Sequence, residues 1–257
     1  QGTFAGVAVR LAVRGMARPP RIVYCAHGWA FDRRTQAWKN RVAAGVERLL
    51  AGWADAIVCI STHEYDAARR IGIPPERLFR IISGIHDLPP GPAARSAADP
   101  QPAWPTGTRR FVFVGRFDQQ KGLDRFLAAM AEIGPMAHGY AVGRAFVQSA
   151  TRFSFPANVE QTGWLSRHAV QAFIRSADVV VMPSRWEGFG LTAIEAMRAG
   201  KPVIASRVGG LAEIVEHEAS GLLVEQDDRE GLVAAMRSMT DARVVAMGQA
   251  GRARFLR

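Results

Sequence analysis

The chain alternates short apolar runs with segments whose apolar residues recur every three to four positions, the pattern of buried strands followed by amphipathic helices. Residues 21–26, 55–60 and 78–82 read as strands. Trp38, Val42, Val46, Leu49, Leu50 and Trp53 mark one stripe of a helix of about five turns, and the stripe is read as core. Residues 64–71 form the next helix, with Ser61 or Thr62 as its N-cap. An earlier helix covers residues 2–16, with Phe4, Val7, Ala8, Leu11 and Ala12 on one face, and Pro19-Pro20 ends it. It reads as a packing helix, with a membrane-surface helix as the alternative.

The alternation stops over residues 89–108, rich in Pro, Ala and Gly, and then resumes. Strands are predicted at 110–115, 140–143, 158–162, 177–182, 201–206 and 221–224. Helices are predicted at 122–133, 166–176 and 191–199, and from residues 229 and 241 onward. Strand followed by helix, repeated in one direction, predicts an α/β chain with two doubly wound parallel sheets. The first domain is expected over 1–88, a linker over 89–108 and the second domain over 109–257.

The chain has 257 residues and a net charge of +10, from 33 basic and 23 acidic residues. The excess is spread over both halves, +6 in residues 1–108 and +4 in 109–257, which argues against a discrete basic tail and against nucleic acid as partner. Only Lys39, Lys121 and Lys201 are lysines. No stretch is long and apolar enough to span a bilayer. Cys25 and Cys59 each sit in a strand-like run and read as reduced core residues of a cytoplasmic protein.

Candidate chemistry gathers at strand ends. The run at 177–182 leads into Pro183-Ser184-Arg185-Trp186-Glu187-Gly188-Phe189-Gly190-Leu191 and then a helix carrying Glu195. The carboxyl end of a parallel strand, with free amides and a positive helix terminus beyond it, suits phosphate, and Gly188 and Gly190 admit a close backbone approach. The strand at 110–115 delivers Gly115-Arg116 and then Lys121-Gly122. A planar guanidinium and a point charge suit a diphosphate, and a surface loop with two cations is the plainer alternative. His27-Gly28-Trp29 ends the strand at 21–26, where the histidine is open to either a ligand or a structural role.

Gly115-Arg116 with Lys121-Gly122, followed by Glu187-Gly188-Phe189-Gly190 and Glu195, resembles the retaining glycosyltransferases of glycosyltransferase family 4, and in particular its polysaccharide-assembly members. His27-Gly28-Trp29, Val58-Cys59-Ile60-Ser61, Gly200-Lys201-Pro202-Val203-Ile204-Ala205 and Gly209-Gly210 with Glu213 resemble further family elements in the same order. The resemblance implies the GT-B fold, two Rossmann-like domains facing a cleft, with the N-terminal domain incomplete and the chain shortened at both ends.

It also implies roles. Arg116 and Lys121 neutralise the donor diphosphate, Glu195 bonds the nucleotide ribose, and Glu187 bonds hydroxyls of the transferred sugar. The amides from Gly188 through Phe189 and Gly190 to Leu191 touch sugar and phosphate, and His27 reaches the donor sugar. The implied catalytic group is Glu187, His27, Arg116 and Lys121, with no metal and no cofactor beyond a nucleotide-sugar co-substrate. The implied reaction moves mannose from GDP-mannose, or glucose from UDP-glucose, to a saccharide or polyprenyl-linked saccharide. Peripheral contact with an anionic membrane on the cytoplasmic face is the accompanying expectation. A non-catalytic nucleotide- or sugar-binding module of the same fold is the alternative.

Two loops depart from the family pattern. Ser83-Gly84-Ile85-His86 replaces the usual Asn-Gly-Ile-Asp, and Gly143-Arg144-Ala145 stands in place of a Gly-Asp-Gly turn.

Overall fold

A computed structural model describes residues 3–33, 35–87, 100–145 and 153–257. It divides into two compact units, one of Gln1–Gly84 with Trp186–Phe189 and the other of Ile85–Arg185 with Gly190–Arg257. Most of the expected linker at 89–108 lies outside the described residues.

The first unit runs α1 (Thr3–Arg14), β1 (Val23–Cys25), α2 (Ala37–Ala51), β2 (Ala56–Cys59), α3 (Thr62–Arg70) and β3 (Leu78–Arg80). Its three strands are parallel in the order β1-β2-β3, with Tyr24 opposite Ile57 and Ile57 beside Leu78. Tyr24, Trp29, Ile57, Cys59, Ala67, Ile73 and Leu78 make its core. Both cysteines are free, and burial raises the Cys59 thiol to about 12, so it is an inert core residue.

Helices α1 and α2 are turned the opposite way from the sequence expectation. Gly6 and Arg10 face inward from α1, where Tyr24 packs so close that a Cβ on Gly6 would stand 2.3 Å from its ring. Arg10, 1% exposed, pairs with the fully buried Glu47 of α2 at 2.8 Å, and the Tyr24 hydroxyl donates to the same carboxylate at 3.1 Å. That pair accompanies the helical rotation: a carboxylate buried on α2 needs a cation, and Arg10 turns inward to supply it. Phe4 and Leu11 therefore face out. Trp38, Val42, Val46 and Leu49, expected as core, are exposed as well, and only Leu50 of that stripe is buried.

The second unit runs β4 (Arg109–Val114), α4 (Leu123–Ile133), β5 (Ala137–Val142), β6 (Val159–Gly163), α5 (Arg167–Ser176) and β7 (Val179–Met182). It continues with α6 (Leu191–Arg198), β8 (Val203–Ser206), α7 (Leu211–Ile214), β9 (Gly221–Val224), α8 (Arg229–Arg237) and α9 (Asp241–Phe255). The single turn α7 was not expected from the sequence. All six strands are parallel in the order β6-β5-β4-β7-β8-β9.

Alternate residues of β4 point to opposite layers. Phe111 and Phe113 meet α4 and α8, while Val112 meets α5 and α6. Because both faces are covered, the strands are continuous apolar runs, which is why they were legible. The strand order reverses between β4 and β7, and in an open parallel sheet the ligand crevice lies beyond the carboxyl ends at that switch.

Candidate functional site

The loops leaving β4 and β7 meet at this switch point. Arg185 of the second loop donates its amide to the Gln120 carbonyl at 2.8 Å and its guanidinium to the Gln119 carbonyl at 2.7 Å. Gly122, the left-handed N-cap of α4 at φ 71°, lies so close to Pro183 that a Cβ would stand 2.0 Å from the Pro183 oxygen. Glycine is therefore obligatory after Lys121. Asp118 accepts from the Lys121 amide at 2.9 Å and pairs with Arg116 at 3.3 Å, and Arg116 also donates to Gln120 at 2.6 Å. The Lys121 stem lies along Gly115, 3.3 Å from where a Cβ would be. Both cations are thus held at one end of the sheet, Arg116 exposed and Lys121 half-buried.

Helix α6 begins beside them at Gly190, whose φ of 106° only glycine adopts freely. Leu191 is its first residue and Glu195 lies just over one turn in. Burial pushes the Glu195 carboxyl above its ordinary value, and Arg198 and Arg167 pull it back. Along the same edge, the Arg144 guanidinium stands 5.4 Å over the ring of Trp164, which is exposed, while Leu165 packs on the core. Leu165 is thus a core residue and Trp164 a surface one. Phe117 donates its amide to the Arg144 carbonyl, joining this loop to the one bearing Arg116.

Asp178 belongs to the opposite edge. It takes the amide of Arg110 at 2.9 Å and its guanidinium at 3.0 and 2.5 Å, fixing the amino ends of β4 and β7.

In the first unit, His27 follows β1, exposed and with a left-handed φ of 50°. A non-glycine residue held there marks a position set by its surroundings. The buried Glu64 is what sets it. Its carboxylate accepts from Gly28 at 2.6 Å and Ile60 at 3.0 Å, its own amide donates to Ser61 at 3.1 Å, and its carbonyl accepts from the Trp29 indole at 2.9 Å. Burial raises the Glu64 carboxyl, and the two amides oppose that rise. Gly188 belongs to this unit too, and a Cβ there would stand 3.0 Å from Glu64 Oε1 and 3.1 Å from the Gly28 nitrogen. Glu187 is half-buried and Phe189 buried.

Comparison with known proteins places this geometry. Residues 94–254 match the family model described as glycosyl transferases group 1, and residues 1–84 match a glycosyl transferase 4-like domain. The chain belongs to the group 1 glycosyl transferases. A Klebsiella pneumoniae protein described as an uncharacterized 41.2 kDa protein in a cps region is 30% identical over 86% of this chain and 62% of its own length. A glycogen synthase of Mycobacterium tuberculosis is 28% identical over 84% of the chain and 52% of its own. Sucrose-phosphate synthase from Thermosynechococcus elongatus has a structure that matches 99% of the chain and 67% of that protein, with 27% identity and a TM-score of 0.79. The Anabaena protein HepE, solved with UDP-glucose, matches 98% of the chain and 71% of its own at 21% identity and the same TM-score. The fold is thus the GT-B type with two Rossmann-like units. The chain spans less than two thirds of the length of the two curated relatives named.

The second unit gathers Arg116 and Lys121 on the loop after β4, and Gly190, Leu191 and Glu195 at the start of α6, behind a loop that is fastened to the first one. The first unit holds His27, Glu187, Gly188 and Phe189. Sequence reasoning missed the residues that position these. Arg185 was passed over as part of a motif, and Glu64 as the start of a helix. The spacing of Ser61 and Glu64, a capping-box pattern, is the signal that would have found Glu64.

Proposed function

We propose that the protein is a retaining glycosyltransferase that moves a hexose from a nucleotide sugar to a saccharide or polyprenyl-linked saccharide in glycan assembly. The observation that carries this is the placement of Arg116, Lys121 and Glu195 at the carboxyl ends of β4 and β7 in a chain of this family. A departing nucleoside diphosphate gains negative charge as the glycosidic bond breaks. Arg116, Lys121 and the amino end of α6 supply positive charge in the place a divalent ion would otherwise take, so the reading is metal-independent. Glu195 accepts from the ribose hydroxyls, and the amides of residues 188–191 approach sugar and phosphate. Glu187 accepts from the hexose hydroxyls and His27 donates to the same sugar. Glu187 thus positions the sugar and stabilises positive charge developing on it, without acting as a nucleophile.

Mannose from GDP-mannose and glucose from UDP-glucose are the two candidate donors, and HepE, which shares the fold, was solved with UDP-glucose. Among the described residues no helix is long and apolar enough to cross a membrane. Residues 1–54 hold nine basic and two acidic residues, and α1 and α2 turn apolar side chains outward, which supports peripheral contact with an anionic bilayer.

The test is transfer from UDP-glucose and from GDP-mannose, with and without oligosaccharide acceptors, by the chain and by Lys121→Ala and Glu187→Ala. Each substitution should lower turnover about 100- to 1,000-fold, the usual cost of losing one preorganised electrostatic group. Undiminished transfer by Glu187→Ala overturns its assignment. Tight nucleotide-sugar binding without turnover by the unaltered chain favours a binding module instead.

A further inference from the structure

Arg198 ends α6, three residues beyond Glu195, yet only 6% of it is exposed. One terminal nitrogen donates to the His86 carbonyl at 2.9 Å, while Nε and Nη2 are buried with no hydrogen-bond partner among the described residues. Gln171 of α5, 3% exposed, has both amide atoms in the same condition. Arg167, Gln171 and Arg175 recur every four residues and share one face of α5, which packs on α6. Arg167 and Arg175 both act on Arg198 as like charges, and Glu195 and Asp87 as opposite ones. Asp87 is itself gripped by Arg252 of α9 at 2.8 and 2.6 Å. Arg198 thus lies one turn beyond Glu195 on α6 and is bonded to the His86 carbonyl, near the start of the second unit.

We propose that Arg198 is a positioning residue for Glu195, a buried counter-charge one helical turn beyond that carboxylate in the nucleotide site, and that its bond to the His86 carbonyl ties α6 to the start of the second unit. The inference rests on the reading that Glu195 binds the nucleotide ribose. A guanidinium with two donors to spare, buried one turn from a carboxylate, is an electrostatic counterweight to the burial of that carboxylate. Burial raises the Glu195 carboxyl, and Arg198 is the larger of the two cations that oppose the rise, Arg167 being the other. Arg198 cannot be replaced by a neutral side chain without Glu195 holding its proton to higher pH. A protonated carboxyl is a poorer acceptor for ribose hydroxyls.

The experiment is calorimetric titration of UDP and GDP between pH 5 and 8. It uses the unaltered chain, Arg198→Met, Arg198→Lys, Glu195→Gln and the double variant, with thermal unfolding of each. Arg198→Met should weaken binding about tenfold at pH 6 and move its acid limb to higher pH, while Arg198→Lys keeps most of the affinity. In the Glu195→Gln background the Arg198→Met change should alter affinity less than about twofold, since the group it acts through is gone. If Arg198→Met does not fold, Arg198→Gln, which keeps donors and drops the charge, is read the same way. An acid limb that stays put, or an equal loss in the Glu195→Gln background, overturns the proposal. If Glu195→Gln alone binds nucleotide as well as the unaltered chain, the ribose reading fails and takes the proposal with it.

Discussion

Arg185 donates from both terminal nitrogens to the two carboxylate oxygens of Asp124, at 2.8 and 2.5 Å, and so bolts the loop after β7 to the first turn of α4. The same arginine reaches the Gln119 carbonyl, and its own carbonyl accepts from Gln226 at 2.6 Å. Asp124 is doubly suited to the task, because a carboxylate in the first turn also meets the positive end of the helix. The pair fixes the spacing between the loop of Arg116 and Lys121 and the loop that leads to Glu195.

Arg185→Met should therefore impair the site more than the fold. The pair is partly exposed, 20% and 42% at its two side chains, so its loss should cost about 1 kcal/mol of stability. On the proposed reading, affinity for UDP or GDP should fall about tenfold, because the loops that would hold one nucleotide lose their common frame. Thermal unfolding beside nucleotide titration separates the two. A loss of stability with affinity unchanged would show that the bolt serves only the fold.

How much of this was legible follows from burial. The strands of the second unit are covered on both faces, so Phe111 to Val114 and Val179 to Met182 announced themselves as apolar runs. The loops behind them carried Arg116, Lys121 and Glu195 in order. The first unit was less legible because polar residues decide its packing. Nothing in the periodicity of α1 says that Arg10 turns inward, since its partner Glu47 lies 37 residues away. The same limit hid Arg185, whose partner Asp124 is 61 residues distant. A periodic apolar stripe reports a core only when no buried charge pair sets the rotation first.

The Arg10–Glu47 pair should be the most sensitive point of the first unit. Glu47→Ala leaves the Arg10 guanidinium and the Tyr24 hydroxyl without their shared acceptor, and breaking such a buried pair from one side costs about 3–5 kcal/mol. Replacing both, as Arg10→Met with Glu47→Leu, removes the charges together and should recover most of that loss. Chemical denaturation of the three variants checks it. A double variant as unstable as Glu47→Ala would mean that hydrogen bonds, not desolvated charge, hold the helices.

Stability should depend on pH in two opposite senses. Burial would raise the Asp178 carboxyl, but hydrogen bonds from Arg110 and the charges of Arg110 and Arg109 outweigh it and hold the group below its ordinary value of 3.8. A depressed carboxyl adds stability that is complete above that ordinary value and is lost as pH falls through the lower folded one. Asp178→Asn should therefore cost about 1–3 kcal/mol at pH 7 and progressively less below about pH 4. Glu64 and Glu195, both raised, have the reverse sign. What they contribute is complete below the ordinary 4.5 and is lost as pH rises through their folded values, so Glu195→Gln should flatten stability there. Thermal unfolding from pH 3 to 8 reads both. A constant Asp178→Asn difference across that range would refute the assignment.

The outward face of α1 gives the last test. Phe4 is 89% exposed, Leu11 and Val9 are exposed beside it, and Arg14 and Arg18 follow with no acidic residue in the helix. An apolar face bordered by arginines gains from both terms of an anionic bilayer, about 1 kcal/mol per cation near the surface and a comparable amount per inserted side chain. Phe4→Ser with Leu11→Ser should weaken binding to vesicles containing phosphatidylglycerol by about tenfold or more. Because both side chains are exposed, the fold should stand. Higher salt should weaken binding by the unaltered chain, as screening removes the arginine contribution. Vesicle sedimentation measures both effects, and binding that ignores the two substitutions would move membrane contact away from α1.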